Sequence, residues 1–165
     1  MPALRSPRTT LSAPVARGRV LAERAAALLI DMTAVAAATG LAMWVFSLAF
    51  DMHLGMAAIV SAAAALGIFG FFAGAVALAV GAATGSTALA RGVAALVAVA
   101  SYLINALAQV TSALKPARPI SPFYLLLGNE PLQHGLRAVG ALSVLAAGLA
   151  LVAVGGIMFA RRDLD

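Results

Sequence analysis

The chain has 165 residues, which is about the length of one domain. Hydrophobic residues make up 63% of it and charged residues only 10%, and its mean hydropathy is +1.02. Soluble domains carry about 25% charged residues, so this composition excludes an ordinary soluble fold and indicates a membrane protein. Because the chain has no cysteine, it cannot form a disulfide scaffold, an iron–sulfur cluster or a thiol nucleophile.

Charged residues divide the chain into uncharged intervals that are long enough to cross a bilayer. A helix rises about 1.5 Å per residue, so about 20 residues cover roughly 30 Å of hydrocarbon. We predict an all-α membrane protein, a bundle of four transmembrane helices near residues 30–50, 56–82, 92–114 and 138–160. Residues 1–14, rich in Pro, Ser, Thr and Arg, are expected to form a flexible cytoplasmic tail before a membrane domain at 15–165.

The first apolar interval resembles a signal peptide only loosely. Its length exceeds the roughly 7 to 15 residues of a signal h-region, so we expect it to be retained as a span.

Basic residues predict the orientation of the four spans. With an even number of spans both termini lie on one side, together with the loop between spans two and three. That side holds eight basic residues, five of them before the first span, and the other side holds three: Lys115, Arg118 and Arg137. The positive-inside rule therefore predicts cytoplasmic termini.

The composition also indicates the source of the chain. Ten Arg against one Lys, with abundant Ala and Gly, suggests a bacterium, and hence its plasma membrane.

The high pI does not indicate nucleic-acid binding. Nucleic-acid binders collect Lys and Arg on one polar face, whereas here the cations flank apolar helices, where they set topology and contact membrane lipid.

A basic segment precedes the first span. Arg19 and Glu23 are four residues apart and Arg17 and Arg24 are seven apart, which predicts a short basic amphipathic helix. One interpretation is an anchor lying at the lipid headgroups. The other is a docking element for a cytoplasmic partner.

The third span carries a polar stripe at helical spacing. It consists of Ser101, Asn105, Gln109 and Ser112, with Tyr102 beside it. Polar side chains in hydrocarbon need partners or water. The stripe either forms hydrogen bonds to a neighbouring helix or lines a solvated substrate path.

The outer loop at 115–137 has the residues that begin and end short helices. Ser121 is a favourable N-cap with Pro122 at the first helical position, and Gly128 can end that helix. Asn129 can cap a second short turn that runs through Pro131 and Leu132 to Gly135. The residues after Pro122, including Phe123 and Tyr124, are apolar, so we predict two short re-entrant or interfacial helices in the outer leaflet.

Catalytic and metal-binding patterns are absent from the sequence. His53 and His134 fall in separate loops, and no G-x-x-x-x-G-K-[ST] phosphate loop is present. We expect a non-catalytic chain without a bound metal or cofactor. Asp31 is the most membrane-embedded acid, and a carboxylate that reaches the interface is favoured over a proton relay.

Several segments together resemble the permease subunits of ABC-2 type exporters. The segments that carry the resemblance are Pro14–Leu21, Gly81–Gly85, Ala100–Leu107, Ile120–Leu132 and Arg161–Leu164. They cover nearly the whole chain in order, although no single motif among them is decisive.

The resemblance implies a six-span permease whose cytoplasmic ATPase binds the loop between spans two and three. Residues 10–24 would be the end of that coupling loop, so Arg17, Arg19, Glu23 and Arg24 become candidate coupling residues. The four spans would correspond to the third through sixth, and the segment from Ser121 to Tyr124 to the re-entrant outer helices of the family. On this basis a split permease, a chain that starts further upstream and a truncated remnant remain as alternatives.

The function expected from sequence is therefore the permease component of an ATP-driven exporter. ATP-Mg would be bound by a separate ATPase subunit, and the chain would form a dimer or pair with a complementing permease half. Ser101, Tyr102, Asn105 and Gln109 are the candidate substrate path. The alternative is a small structural or regulatory membrane protein that transports nothing, and the substrate cannot be inferred from the sequence.

Overall fold

The fold is that of an all-α membrane protein. A computed structural model describes residues 17–128 and 130–161, and every regular element in these ranges is helical. The elements are α1 (Arg17–Ala49), α2 (Met56–Thr84), α3 (Thr87–Val110), a 3₁₀ segment (Ser112–Ile120), α4 (Pro122–Leu127), α5 (Pro131–His134) and α6 (Ala138–Arg161). Within the described ranges four helices, α1, α2, α3 and α6, are long and apolar enough to cross a membrane. The predicted four-helix bundle is confirmed.

Helix α2 lies at the centre of the bundle. It packs against α6, α1 and α3, and the short helices α4 and α5 also contact it. We call the end where α1 begins and α6 finishes the termini end. The opposite end, which carries the 3₁₀ segment, α4 and α5, is the loop end.

Helix α1 is one continuous helix from Arg17 to Ala49, and it begins well before position 30. The sequence predicted a short basic amphipathic helix that leads into the first span, near residues 30–50. The segment between Arg24 and Asp31 consists of Ala, Leu and Ile without Gly or Pro, so nothing in it interrupts the helix. The basic segment and the span are therefore parts of a single rod.

Helix α3 ends earlier than the uncharged interval suggests. It finishes at Val110, because Thr111 has extended backbone angles and the following 3₁₀ segment contains Pro116 and Pro119. Proline removes a backbone donor and disfavours helical angles in the residue before it, so an α-helix does not continue through this stretch.

The helices approach closely at small residues. A β-carbon added at Gly155 of α6 would lie 3.0 Å from the Cα of Ala79 in α2, and one at Gly67 of α2 would lie 3.0 Å from the Cβ of Ala36 in α1. In a membrane, helices associate through this kind of van der Waals contact, since burial from water does not drive them together.

The glycines of α2 have two different roles. Gly70 and Gly74 face Met32 and Leu28 of α1, so this G-x-x-x-G pair serves packing within the chain. Gly85 follows the end of α2 with a left-handed φ of 68°, and its N–H donates to the carbonyl of Gly81 at 2.8 Å. Glycine adopts this conformation at little cost, so Gly85 ends the helix and makes the tight turn into α3.

A cluster of buried apolar residues lies at the loop end. Leu126 of α4 is buried together with Ala65 of α2 and with Ala141 and Val144 of α6. Helix α4 thus fills the space between two long helices and is part of the bundle.

Candidate functional site

The polar stripe of α3 divides between the interior and the surface. Ser101 and Asn105 are buried, with 5% and 9% of their surfaces exposed, whereas Tyr102 and Gln109 are exposed. The Ser101 hydroxyl donates to the carbonyl of Val97 at 2.7 Å, one turn earlier. The four candidate path residues therefore do not share one surface.

Asn105 is paired with a cation from the 3₁₀ segment. Nε of Arg118 donates to Oδ1 of Asn105 at 3.3 Å, and the guanidinium carbon of Arg118 lies 4.5 Å from the ring centroid of Tyr124 in α4. A guanidinium is planar and weakly hydrated, so it can satisfy an amide oxygen and lie over an aromatic ring at once. Arg118 therefore connects α3 to α4.

A second hydrogen bond connects the same two helices. The hydroxyl of Ser121, which is 4% exposed, donates to the backbone carbonyl of Ser101 at 2.9 Å. Ser121 does precede α4 with Pro122 at the first helical position, but its side chain makes no capping hydrogen bond. The predicted N-cap residue instead attaches the start of α4 to α3.

Aromatic contacts complete this junction. The ring of Phe123 meets Tyr102 edge-to-face at 5.4 Å between centroids, and it meets Phe69 of α2 edge-to-face at 5.7 Å. Edge-to-face contacts of this kind place a positive ring edge on a negative ring face. We call Ser101, Asn105, Arg118, Ser121 and Tyr124 the loop-end polar cluster.

Polar groups of the loop-end polar cluster form hydrogen bonds within the chain: the Ser101 and Ser121 hydroxyls, and Oδ1 of Asn105 with Nε of Arg118. Among the described residues, no buried side-chain nitrogen or oxygen lacks a hydrogen-bond partner. These contacts support the helix-to-helix interpretation for Ser101 and Asn105. The pathway interpretation then depends on the exposed Tyr102 and Gln109.

The rest of the predicted outer loop is described in part. Pro131 is buried and begins α5, which lies within the predicted turn, and Glu130 at the N-cap position has a left-handed φ of 51°. The predicted cap Asn129 lies outside the described residues.

The candidate coupling residues lie at the opposite end of the bundle. Glu23 and Arg24 are exposed on α1. Arg17 and Arg19 belong to the first turn of the same helix, and their side chains lie outside what the structure describes. The whole length of α1 separates these residues from the loop-end polar cluster.

An apolar groove of about 640 Å³ lies between α1 and α2 on the side of the bundle. Its walls include Trp44 of α1 and Val60 of α2, both exposed, and Leu145 of α6 closes one side. The groove shows that α1 and α2 are only partly in contact along their length.

Arg118 is the residue that sequence reasoning missed. Its charge was used only to assign topology, because it lies 13 positions after Asn105, with Pro116 between them, and no periodic pattern connects the two. The sequence signal that could have suggested the pair is an amide near the end of an apolar span, shortly before a loop with prolines and basic residues.

Metal ligands do not cluster in the described part of the chain, where no three His, Asp or Glu side chains could hold an ion together. Comparison with protein-family models, with curated proteins and with solved structures gave no match to this chain.

Proposed function

We propose that the chain is a membrane-spanning component of an ATP-driven exporter of the ABC-2 type, working with a separate ATPase subunit that binds ATP-Mg. The observation that carries the proposal is the continuity of α1, which joins the basic segment around Arg24 to a membrane span without a break. A partner that pushed on this segment would move the span as a rigid body. The sequence resemblance supplies the kind of partner.

Helix α1 is suited to such movement. It packs mainly on α2 and much less on α6, and large side chains such as Ile30, Leu41 and Phe46 are exposed along it. The groove between α1 and α2 leaves room for a second packing of the two helices. A partner or ligand shifts such an equilibrium by binding one packing more tightly than the other.

In this proposal the two ends of the bundle face different compartments. The termini end faces the cytoplasm of a bacterium and the ATPase, and α4 and α5 face the opposite side as the re-entrant helices of the family would. The transporter would be completed by a second copy or by a complementing permease half.

The orientation can be tested by cysteine labelling, because the chain has no cysteine of its own. Thr87 begins α3 at the termini end and Gln133 lies in α5 at the loop end, and both are exposed. In intact cells an impermeant maleimide should label the Gln133→Cys variant and not the Thr87→Cys variant. After permeabilisation both should react, and labelling of Thr87→Cys alone in intact cells would reverse the proposed orientation.

The ATPase partnership can be tested by charge reversal at the termini end. The full chain, purified from its native membrane, should bring with it an ATPase whose peptides contain a G-x-x-x-x-G-K-[ST] loop. The double variant Arg17→Glu with Arg24→Glu should lose this ATPase, with a drop of at least tenfold in associated ATP hydrolysis, because the docking charges change sign.

The matched control reverses two basic residues at the loop end. Lys115 and Arg137 are exposed there, so the variant Lys115→Glu with Arg137→Glu should retain the ATPase. If the intact wild-type chain carries no ATPase at all, the exporter proposal fails and the structural or regulatory alternative gains.

A further inference from the structure

A second groove, of about 650 Å³, lies at the termini end between α1 and α3, and α2 forms its floor. The floor is made of small and apolar residues, among them Gly74, Ala77 and Leu78. The charged residues that line it are Arg24 and Asp31 from α1 and Arg91 from α3.

The two arginines stand at nearly the same level on opposite walls. Leu28 of α1 faces Gly74 of α2, and Ala90 of α3 approaches Gly81 of α2. Arg24 lies one turn before Leu28 and Arg91 directly follows Ala90. Because α1 and α3 both run antiparallel to α2, Arg24 lies at about the level of Leu78 and Arg91 at about the level of Val80. At a rise of about 1.5 Å per residue, the two arginines are within about 3 Å of each other along the bundle axis.

This placement suits a phosphate group that carries a hydrocarbon chain. Both arginines are exposed, and a guanidinium presents a planar set of donors that matches phosphate oxygens. Below the arginines the floor is apolar and offers no donor for a soluble ion. Basic pockets between transmembrane helices are typical binding sites for anionic lipid headgroups.

We propose that this groove binds one anionic phospholipid. The phosphate lies between Arg24 and Arg91, and an acyl chain runs along α2 past Leu78 and Ala77. The small floor residues let the chain pack close to the backbone of α2. The lipid thereby bridges α1 and α3.

Asp31 sets the depth of the headgroup. It follows Arg24 by seven residues on the same helix, which places it about 10 Å nearer the loop end. A carboxylate at that depth repels a phosphate, so the headgroup stays at the level of the arginines and only the acyl chain passes Asp31.

The test measures binding of two lipids to the purified full chain by native mass spectrometry. Dioleoylphosphatidylglycerol and dioleoylphosphatidylcholine have the same acyl chains but differ in headgroup charge. The wild-type chain should bind the anionic lipid more tightly. Arg24→Gln and Arg91→Gln should each weaken that binding about fivefold, and together about 30-fold. Both residues are exposed, so the variants should keep the circular dichroism and thermal unfolding of the wild type.

The matched control is the double variant Lys115→Gln with Arg137→Gln, which removes two exposed cations from the loop end. It should bind phosphatidylglycerol within twofold of the wild type. If it loses affinity as the Arg24 and Arg91 variants do, the effect is general surface attraction and the site proposal is wrong.

Three further outcomes would overturn the proposal. One is unchanged phosphatidylglycerol binding by the Arg24→Gln, Arg91→Gln double variant. Another is displacement of the lipid by millimolar inorganic phosphate, which would indicate a site for the free ion. The third is a threefold or greater loss of affinity in Asp31→Asn, which would indicate a cationic ligand, since removing a repelling charge should leave binding at least as tight. None of these measurements needs an ATPase, so they do not depend on the proposed transport function.

Discussion

Replacing Gly140 with alanine is expected to lower the free energy of unfolding of the bundle by about 1–3 kcal/mol. Gly140 is buried near the start of α6, and a β-carbon there would overlap the carbonyl oxygen of Leu125 and lie 3.0 Å from its carbonyl carbon. The obstacle is backbone, which cannot rotate away as the end of a flexible side chain could. Helix α4 would have to move.

Helix α4 is held from both sides, so its movement is costly. Leu126 is buried against Ala65 and Val144, and the hydroxyl of Ser121 is bonded to the carbonyl of Ser101. Displacing α4 from α6 opens the core at Leu126 and strains the attachment to α3. The added methyl group therefore disturbs two interfaces.

Gly92→Ala is the matched control. Gly92 is an exposed position in α3 where an added β-carbon would meet nothing within 4 Å. Alanine is the better helix former by about 1 kcal/mol, so this variant should be as stable as the wild type or more stable. Reversible titration of both variants with dodecyl sulfate in mixed micelles measures the difference. Equal stability of the two would mean that the contact between α4 and α6 is looser than the structure shows.

The positions of the spans were predictable because charge and hydrocarbon exclude each other. Asp51, Arg91 and Arg137 lie in turns or near helix ends, and uncharged runs between charges correspond to α2, α3 and α6. The same rule could not give the start of α1. Alanine and leucine favour a helix on both sides of the membrane boundary. The helix therefore also includes the charged residues that precede the span.

The contacts within the bundle could not be predicted, because they join residues far apart in sequence. The preference of serine for N-caps identified Ser121 as the residue before α4. Its hydroxyl, however, donates to the backbone carbonyl of Ser101 in α3 and does not cap α4. Helical spacing grouped Asn105 with Gln109, although one is buried and the other exposed. Periodicity shows which residues share a face of a helix. How much of that face is buried depends on the helices that pack against it.

Replacing Asn105 with leucine is expected to lower the free energy of unfolding by about 1–2 kcal/mol. A hydrogen bond to a charged group contributes about 1.5–3 kcal/mol in soluble proteins, whereas the membrane average is near 0.6 kcal/mol. Asn105 is buried and Arg118 is half-buried at the loop end, so an intermediate value applies. Leucine keeps the branched shape of the side chain but replaces the amide, and with it the acceptor for Nε of Arg118, by methyl groups.

A double-mutant cycle attributes this loss to the pair. Arg118→Met keeps most of the aliphatic stem and removes the donor, so the double variant should be less destabilised than the two single changes added together, with a coupling of about 1 kcal/mol. Purely additive effects would show that Asn105 contributes through packing alone.

Gln109→Leu is the matched control, because it makes the same amide-to-leucine change one turn further along α3 at an exposed position. Its stability should stay within about 0.5 kcal/mol of the wild type.

The pair of variants also separates the two interpretations of the polar stripe. If Asn105→Leu is as stable as the wild type but alters ATP hydrolysis by the associated ATPase, Asn105 acts in the transport cycle and the structural assignment fails. If Gln109→Leu alters hydrolysis at normal stability, the pathway lies on the exposed side of α3.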